Sequence, residues 1–511
     1  MYLHDKTICN TILDTWTHLK LKHICLLLAG GASLMSITPA QANCVNTSTT
    51  IQVTDTTGQP AAGESVVCDA LPPNPTAPST VVTATGNNVS VTILNGAEMA
   101  PTTRAIGVFD GSTVLIEAGG ILRTIGGNNA HGINLQGNNS TATNNGTITT
   151  TGTNSNAMNI SGATATSGNT LINNGSILVG GNNAAGIQIV GAPNTTIINT
   201  GSITATGTST ATLHAAGVLV ANNTSGTSTG TFTNETGGTV SAASAPGVDI
   251  QTSGFTVTNR GTIGSGTGTA VQFGSGGNTL ILDTGSVLNG DVVTSVTGNT
   301  VRLQGTSIED SNFTGGFQSL VMEGANWTLS GNVAIADTAA DALRVDSGVL
   351  RFTGSVTNAG GNTINNGGTL RVDGTLGGLT TVANDGTLAG NGTVGNVTFQ
   401  PGSFYEVEVN PAGLVSTIKS TGAATLNGGT VNVIAGTGSY APSTQYTILN
   451  ATGGVNGAFD PVVNSNFAFL APSLTYDANN VYLTLLLLNN TSFDSVGGTP
   501  NQIATGTGIP G

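Results

Sequence analysis

Between residues 105 and 273 the chain repeats a short phrase in which aliphatic residues alternate with single intervening residues. It reads AIGVF at 105–109, AHGINL at 130–135, AMNI at 157–160, AAGIQI at 184–189, AAGVLV at 215–220, APGVDI at 245–250 and TAVQF at 269–273. Alternation of period two predicts strands with one face buried. A second phrase interleaves with the first: Asn/Asp-x-Gly-Ser/Thr-aliphatic, spelled NNGTI at 144–148, NNGSI at 173–177, NTGSI at 199–203, NRGTI at 259–263 and DTGSV at 283–287. This phrase has turn chemistry, and the pair returns every 23 to 31 residues or so.

Self-similarity at that period predicts a solenoid, because one repeat cannot bury its apolar face alone and must stack on its neighbours. Alternation points Ile133 and Leu135, Ile187 and Ile189, Val218 and Val220, and Val248 and Ile250 inward in one column. It places Asn134, Gln188, Leu219 and Asp249 outward. Because each coil repeats the same phase after a full circuit, successive strands pair in parallel. The expected architecture is all-β: a right-handed parallel β-helix, a rod on the order of 80 Å long given strands about 4.8 Å apart. Gly146, Gly175, Gly201, Gly261 and Gly285 are expected at turn positions needing positive φ. Asn145, Asn174 and Asn199 are candidates for stacked amide ladders.

Composition supports a turn-rich solenoid over a charge-swollen disordered chain. Glycine is 75 of 511 residues and charged residues are 7%. A flexible Gly/Ser/Thr/Asn polymer has no reason to keep the phase of the aliphatic alternation. The net charge is −14, and the seven arginines are scattered. Nucleic acid is excluded as a partner on that balance, since phosphate neutralisation needs clustered positive charge.

The N-terminus reads as an address. Lys6, Lys20, Lys22 and His23 precede an apolar run at 24–37, and TPAQA ends at Ala42. Residues 1–42 are therefore expected to be a secretory signal peptide cleaved after Ala42; the apolar run is too short to span a bilayer. Cys44 and Cys68 remain in the exported chain, where a disulfide between them or a pair of free thiols both fit. No Cys/His cluster suggests a metal or other cofactor.

The chain divides into residues 43–80, an N-terminal cap with a Pro-rich joint at 71–79, and a repeat region over 81–400. The wording shifts beyond 300 to a tighter, more regular form (VRLQG, ALRVDSGVLRFTGSV, NDGTLAGNGTVGNV). Residues 401–490 then concentrate the aromatics: Tyr405, Tyr440, Tyr446, Tyr476 and Tyr482, with Phe404, Phe459, Phe467 and Phe469. A solenoid needs such a bulky cap to cover its last coil, and VYLTLLLL at 481–488 suits a buried cap strand.

FQSLVMEGANWTLSGN at 317–332, NDGTLAGNGTVGNV at 384–397 and PGSFYEVEVN…IKSTGAATLNGGTVNV at 401–433 resemble the passenger domains of bacterial autotransporters (type V secretion). The resemblance covers most of the exported chain and is strongest over 280–488. It implies the pectin-lyase-like β-helix, export across the inner membrane, display at the cell surface or release, and an autochaperone-like role for 401–490. It also implies an outer-membrane β-barrel translocator as partner. Residues 491–511, with TPNQIAT at 499–505, are similar to the start of the linker into that barrel. The barrel itself is absent from this sequence, as expected of a truncated gene, of a fragment, or of a passenger that needs a barrel in trans; without any barrel the exported chain would be periplasmic.

Catalytic spellings are present, and each has a plainer reading. GTSTG at 226–230 matches G-x-S-x-G around Ser228, but no helix pattern and no histidine follow it. GNGTVG at 390–395 and GTGIPG at 506–511 spell G-x-G-x-x-G outside any βαβ context and read as turns. His131 and His214 sit in different coils beside aliphatic phrases, as ladder or surface residues. Glu406 and Glu408 share one strand face, the minimum for glycoside hydrolysis, yet fit a solvated outer face near the cap. Asp341, Asp346, Asp373 and Asp385 read as turn residues at strand ends.

The expected function is that of an adhesin-like, exported passenger that acts by binding host surfaces, matrix or itself, without turnover. A polysaccharide-active β-helix is the alternative from another class. A groove in which acids from two or three adjacent coils converge, three of them with an arginine, would reverse this order. The triplet spacing predicts no such column.

Overall fold

The computed structural model describes residues 43–487, except 71–79, 162–165, 211–213, 224–225, 439, 441–443 and 468–469. The signal segment with Ala42, the Pro-rich joint, Phe469 and the 491–511 stub with GTGIPG lie outside the described residues.

Among the described residues every helical or strand element is a strand. A representative coil is Thr141–Asn144, Thr147–Thr150 and Met158–Ser161. Each strand pairs in parallel with its counterpart one coil on: Thr170–Asn173, Ser176–Val179 and Ile187–Val190. Three strand columns result, and the chain is a parallel β-helix. The triplets stack as expected: Ile133 and Leu135 lie in register with Met158 and Ile160, those with Ile187 and Ile189, and these with Val218 and Val220. In the second column Leu171, Ile197, Phe232 and Val257 stack along the axis and are fully buried.

Coil length varies in a way the two phrases only partly announced. The asparagine that opens each turn phrase recurs after 29, 26, 35 and 25 residues. Beyond 300 the coils tighten, to 18 residues between Asn362 and Thr380. The long strands Thr262–Phe273 and Val287–Thr294 bend round a corner and shift register there. From Thr306–Glu309 onward the third column forms its own eight-stranded sheet.

The turn glycines are required for a different reason from the expected one. Of the five, only Gly285 has positive φ, 87°. At Gly146, Gly175, Gly201 and Gly261 an added Cβ would stand 2.0–2.3 Å from the carbonyl oxygen of a residue in the preceding coil, such as Gly175 O for Gly201. Stacking distance, not backbone conformation, excludes a side chain there. Left-handed positions lie elsewhere in the coils, filled by other glycines such as Gly168 and Gly191, φ 73° and 65°, and by asparagines such as Asn154 and Asn183, φ 55° and 54°.

Both ends of the stack abandon parallel pairing. Asn43–Asn46 runs antiparallel to Ser65–Asp69, with Cys44 opposite Cys68, and a disulfide joins the two cysteines. Ser65–Asp69 already pairs in parallel with Ser90–Ile93, so the stack begins inside the expected cap and not after the joint. At the other end Asn480–Leu487 lies between Thr444–Ala451 and Leu470–Tyr476, antiparallel to both. Its Val481, Leu483 and Leu485 are buried. Phe399, Tyr405 and Phe459 form the aromatic plug beneath, with ring centroids 4.9–5.8 Å apart. Local hairpins at both ends satisfy backbone groups that a bare parallel edge would offer to other chains.

Candidate functional site

The exterior carries three organised features. The first lies over the triplet strands, and here the expected orientation fails in part. The residues between the inward aliphatics register in one outer column, Gly107, Asn134, Asn159, Gln188, Leu219, Asp249 and Gln272. Asn134, Asn159, Leu219 and Asp249 are nevertheless buried, and Asn156 and His214, each just before a triplet, contact Asn159 and Asp249. Asn159 donates to Asn134 at 2.9 Å, while Asn156 donates to Asn159 at 3.2 Å and also to Gln188. Asp249 has no exposed surface and contacts His214 Nδ1. Gln251 Nε2 donates to its carboxylate at 3.1 Å.

His131 sits at the edge of this column, where its Nδ1 accepts the Asn156 N–H at 3.2 Å. Burial, and then the nearby Arg104 charge, push its pKa down from 6.5 to about 4. The coil on its other side offers Asn156, which is uncharged. Between pH 6.5 and about 4 the unfolded chain binds a proton that the folded chain refuses. The stabilisation is therefore complete above pH 6.5 and is lost progressively as pH falls toward 4. Chemical denaturation from pH 7.5 to 4 should show this decline, and His131→Asn should flatten it.

The second feature is a set of arginine–carboxylate contacts within and between coils. Arg302 pairs with Glu323; Arg344 reaches Asp346 at 2.8 Å and Asp341 at 3.7 Å. Arg351 and Arg371 share Asp373, at 2.6 and 3.2 Å, and Arg371 also holds Glu408 at 2.5 Å. Burial opposes ionisation of Asp373, but the two guanidinium groups outweigh it and lower its pKa. Glu323, Asp341 and Asp346 gather with Arg302 and Arg344 along the second strand column, outside the triplet column, and line neither of the clefts described next. Asp346 and Asp373 close ion pairs instead of serving only as turn residues. Glu408 is exposed and Tyr405, Val407 and Val409 face inward, as the alternation predicts. A cleft of about 440 Å³ beside Arg371 and Glu408 includes Asn391, Leu414 and Ile434. A second, uncharged cleft of about 670 Å³ crosses the tight coils at Val356, Leu376 and Val394.

The third feature went unread in the sequence although its signal was present. Each turn asparagine is preceded three residues earlier by threonine: TATN, TLIN, TIIN, TFTN and TVTN. The fold superposes Thr141, Thr170, Thr196, Thr231, Thr256 and Thr279 on the outer face of the second column. The hydroxyl series continues in register from Ser65 at one end to Ser319 at the other. Adjacent strands space these groups at about 4.8 Å. The six threonine hydroxyls named make no hydrogen bond with the described residues, which leaves them open to solvent.

No family model and no curated protein matches this chain.

Two of the catalytic spellings fall among the described residues. Ser228 is buried; its hydroxyl donates to Ala221 O at 2.6 Å and accepts the Ala192 N–H at 3.1 Å. Gly390, Gly392 and Gly395 each lie against a carbonyl of the preceding coil, where a Cβ would come within 2.1–2.4 Å. His131 and His214 both border the buried polar column, but on separate coils and with different partners. Among the described residues no group of His, Cys, Asp and Glu is placed to hold a metal ion.

Proposed function

We propose that this chain is an exported, adhesin-like β-helical passenger of the autotransporter type that works by surface contact. The observation carrying this reading is the hydroxyl column from Ser65 to Ser319: a repetitive, largely uncharged array whose central members, Thr141 to Thr279, make no hydrogen bond with the described residues, while Thr113 bonds Ser90 and Thr300 bonds Ser319 toward its ends. Such an array favours extended partners with their own repeating hydroxyl or amide groups, in host surfaces, matrix or a second passenger. A β-barrel translocator, in cis or in trans, would deliver it to the outer membrane.

The column itself provides the test. Thr196→Lys combined with Thr231→Lys places two charges mid-array, at one half-buried and one exposed position of the outer face. Binding of the fluorescently labelled protein to cells and matrix should fall at least about tenfold, the effect of roughly 1.4 kcal/mol. Buried Trp327, whose indole donates to Gln304 O at 2.9 Å, should keep its emission and report an intact fold. Unchanged binding by a folded variant would remove the column from the reading.

The cluster of Glu323, Asp341 and Asp346 with Arg302 and Arg344 gives the polysaccharide-active alternative a specific basis. Release of reducing or unsaturated ends from acidic or neutral polysaccharides, abolished by Asp346→Asn, would establish that alternative over the adhesin reading.

A further inference from the structure

Arg104 departs from the pattern set by the other arginines. Arg123, Arg260, Arg302, Arg344, Arg351 and Arg371 each contact a carboxylate. Arg104 contacts none among the described residues, and its Nε is enclosed without a hydrogen-bond partner. The guanidinium lies against the backbone of Gly107: a Cβ there would stand 2.9 Å from Cζ and Nε and 3.1 Å from Nη2. A side chain at position 107 would have to displace the guanidinium from this place. On the next coil Asn134 registers with Gly107, and the His131 carbonyl accepts the Ala105 N–H at 2.9 Å.

The protein thus holds a half-buried cation, partly stripped of water and without a counter-charge among the described residues, an arrangement that costs free energy until an anion arrives. We propose that Arg104 anchors a binding site for a small carboxylate-bearing ligand on the outer face of the triplet column. The planar guanidinium fork suits the two oxygens of a carboxylate. A chain of net charge −14 disfavours multiply charged anions such as polyphosphates. The carboxylate can belong to an acidic sugar or to a peptide. This inference stands apart from the adhesin reading, since it concerns a different strand column and does not require the hydroxyl array.

His131 supplies an internal reporter, because Arg104 contributes to its depressed pKa. A bound carboxylate would cancel part of that charge and raise the titration of the imidazole. The experiment follows the His131 ring resonances of the full chain by NMR while D-glucuronate, N-acetylglycine or, as an uncharged control, glucose is added. Saturable shifts with an upward move of the His131 titration are expected for a carboxylate and not for glucose. Response to glucuronate alone assigns an acidic sugar, response to N-acetylglycine alone assigns a peptide carboxylate, and response to both assigns the carboxylate itself. Arg104→Gln should raise the His131 pKa without ligand and abolish saturation. Arg104→Lys should keep the low pKa but bind several-fold more weakly, because it lacks the fork. A non-saturating drift of equal size in wild type and Arg104→Gln, with Trp327 emission unchanged, would overturn the proposal.

Discussion

Asn199→Leu is expected to destabilise the central coils by about 2–6 kcal/mol, since it strands two buried polar groups at roughly 1–3 kcal/mol each. Asn199 is the middle of an internal amide ladder. The Nδ2 groups of Asn144, Asn173, Asn199 and Asn234 donate to the Oδ1 of the next asparagine at 2.8–2.9 Å, ending on Asn259. All five are buried with no exposed surface. Leucine preserves volume but leaves Asn173 without its acceptor and Asn234 without its donor. It also releases the Gly201 carbonyl, which Asn199 engages at 3.2 Å. Because solenoid stability is largely a nearest-neighbour property, the loss should be local. Amide exchange should accelerate across Thr170–Asn173, Ser202–Ala205 and Gly230–Asn234, with Trp327 emission nearly unchanged at low denaturant. Uniform acceleration along the whole stack would show cooperativity beyond nearest neighbours, and no acceleration would show that the ladder contributes nothing.

Tyr405→Ala is expected to cost more, about 3–5 kcal/mol for the cavity and about 1–3 kcal/mol for the groups left unpaired. The ring is fully buried between Phe399 and Phe459, at centroid distances of 5.5 and 5.8 Å. Its hydroxyl donates to Ile448 O and accepts the Ile418 N–H at 3.1 Å, tying three segments of the C-terminal region together. Burial raises its pKa, so the phenol stays protonated and able to donate. Tyr405 also continues the inward column Trp327, Leu350, Leu370, Leu388, Tyr405, Val431, one residue per coil. In guanidinium titrations the tyrosine near-UV signal of the variant should therefore collapse first, followed by Trp327 emission. Tyr405→Phe, which keeps the ring contacts, should lose only about 1–3 kcal/mol. Equal losses for both variants would place the whole effect in the hydroxyl.

The amide ladder marks how far the sequence could be read. The turn phrase exposed the repeat, and stacked amides were a fair expectation, but Asn145, Asn174 and Asn199 do not form one column. Asn199 belongs to the buried series with Asn144 and Asn173, while Asn174 donates to Asn145 at 2.8 Å in a separate outer pair. The phrases NNGSI and NTGSI differ at the second letter, and nothing in either says which letter faces the core. The triplet column shows the same boundary. Its inward residues followed from alternation, whereas alternation carries no sign that Asn159 and Asp249 are buried, in contact with Asn156 and His214.

The sequence by itself determined the strand content, the parallel stacking, the inward aliphatic column, and the aromatic closure near residues 401–490. These depend on a side-chain period of two and on turn chemistry, both legible within a single repeat. Only the tertiary structure decided which residues of different coils lie above one another. Register is set by coil lengths that range from 35 residues down to 18, so equal positions in the text are not equal positions in space. The threonine array, the shared arginine–carboxylate contacts and the unpaired Arg104 all arise from that superposition, as does the need for glycine where one coil's backbone leaves no room for a Cβ in the next.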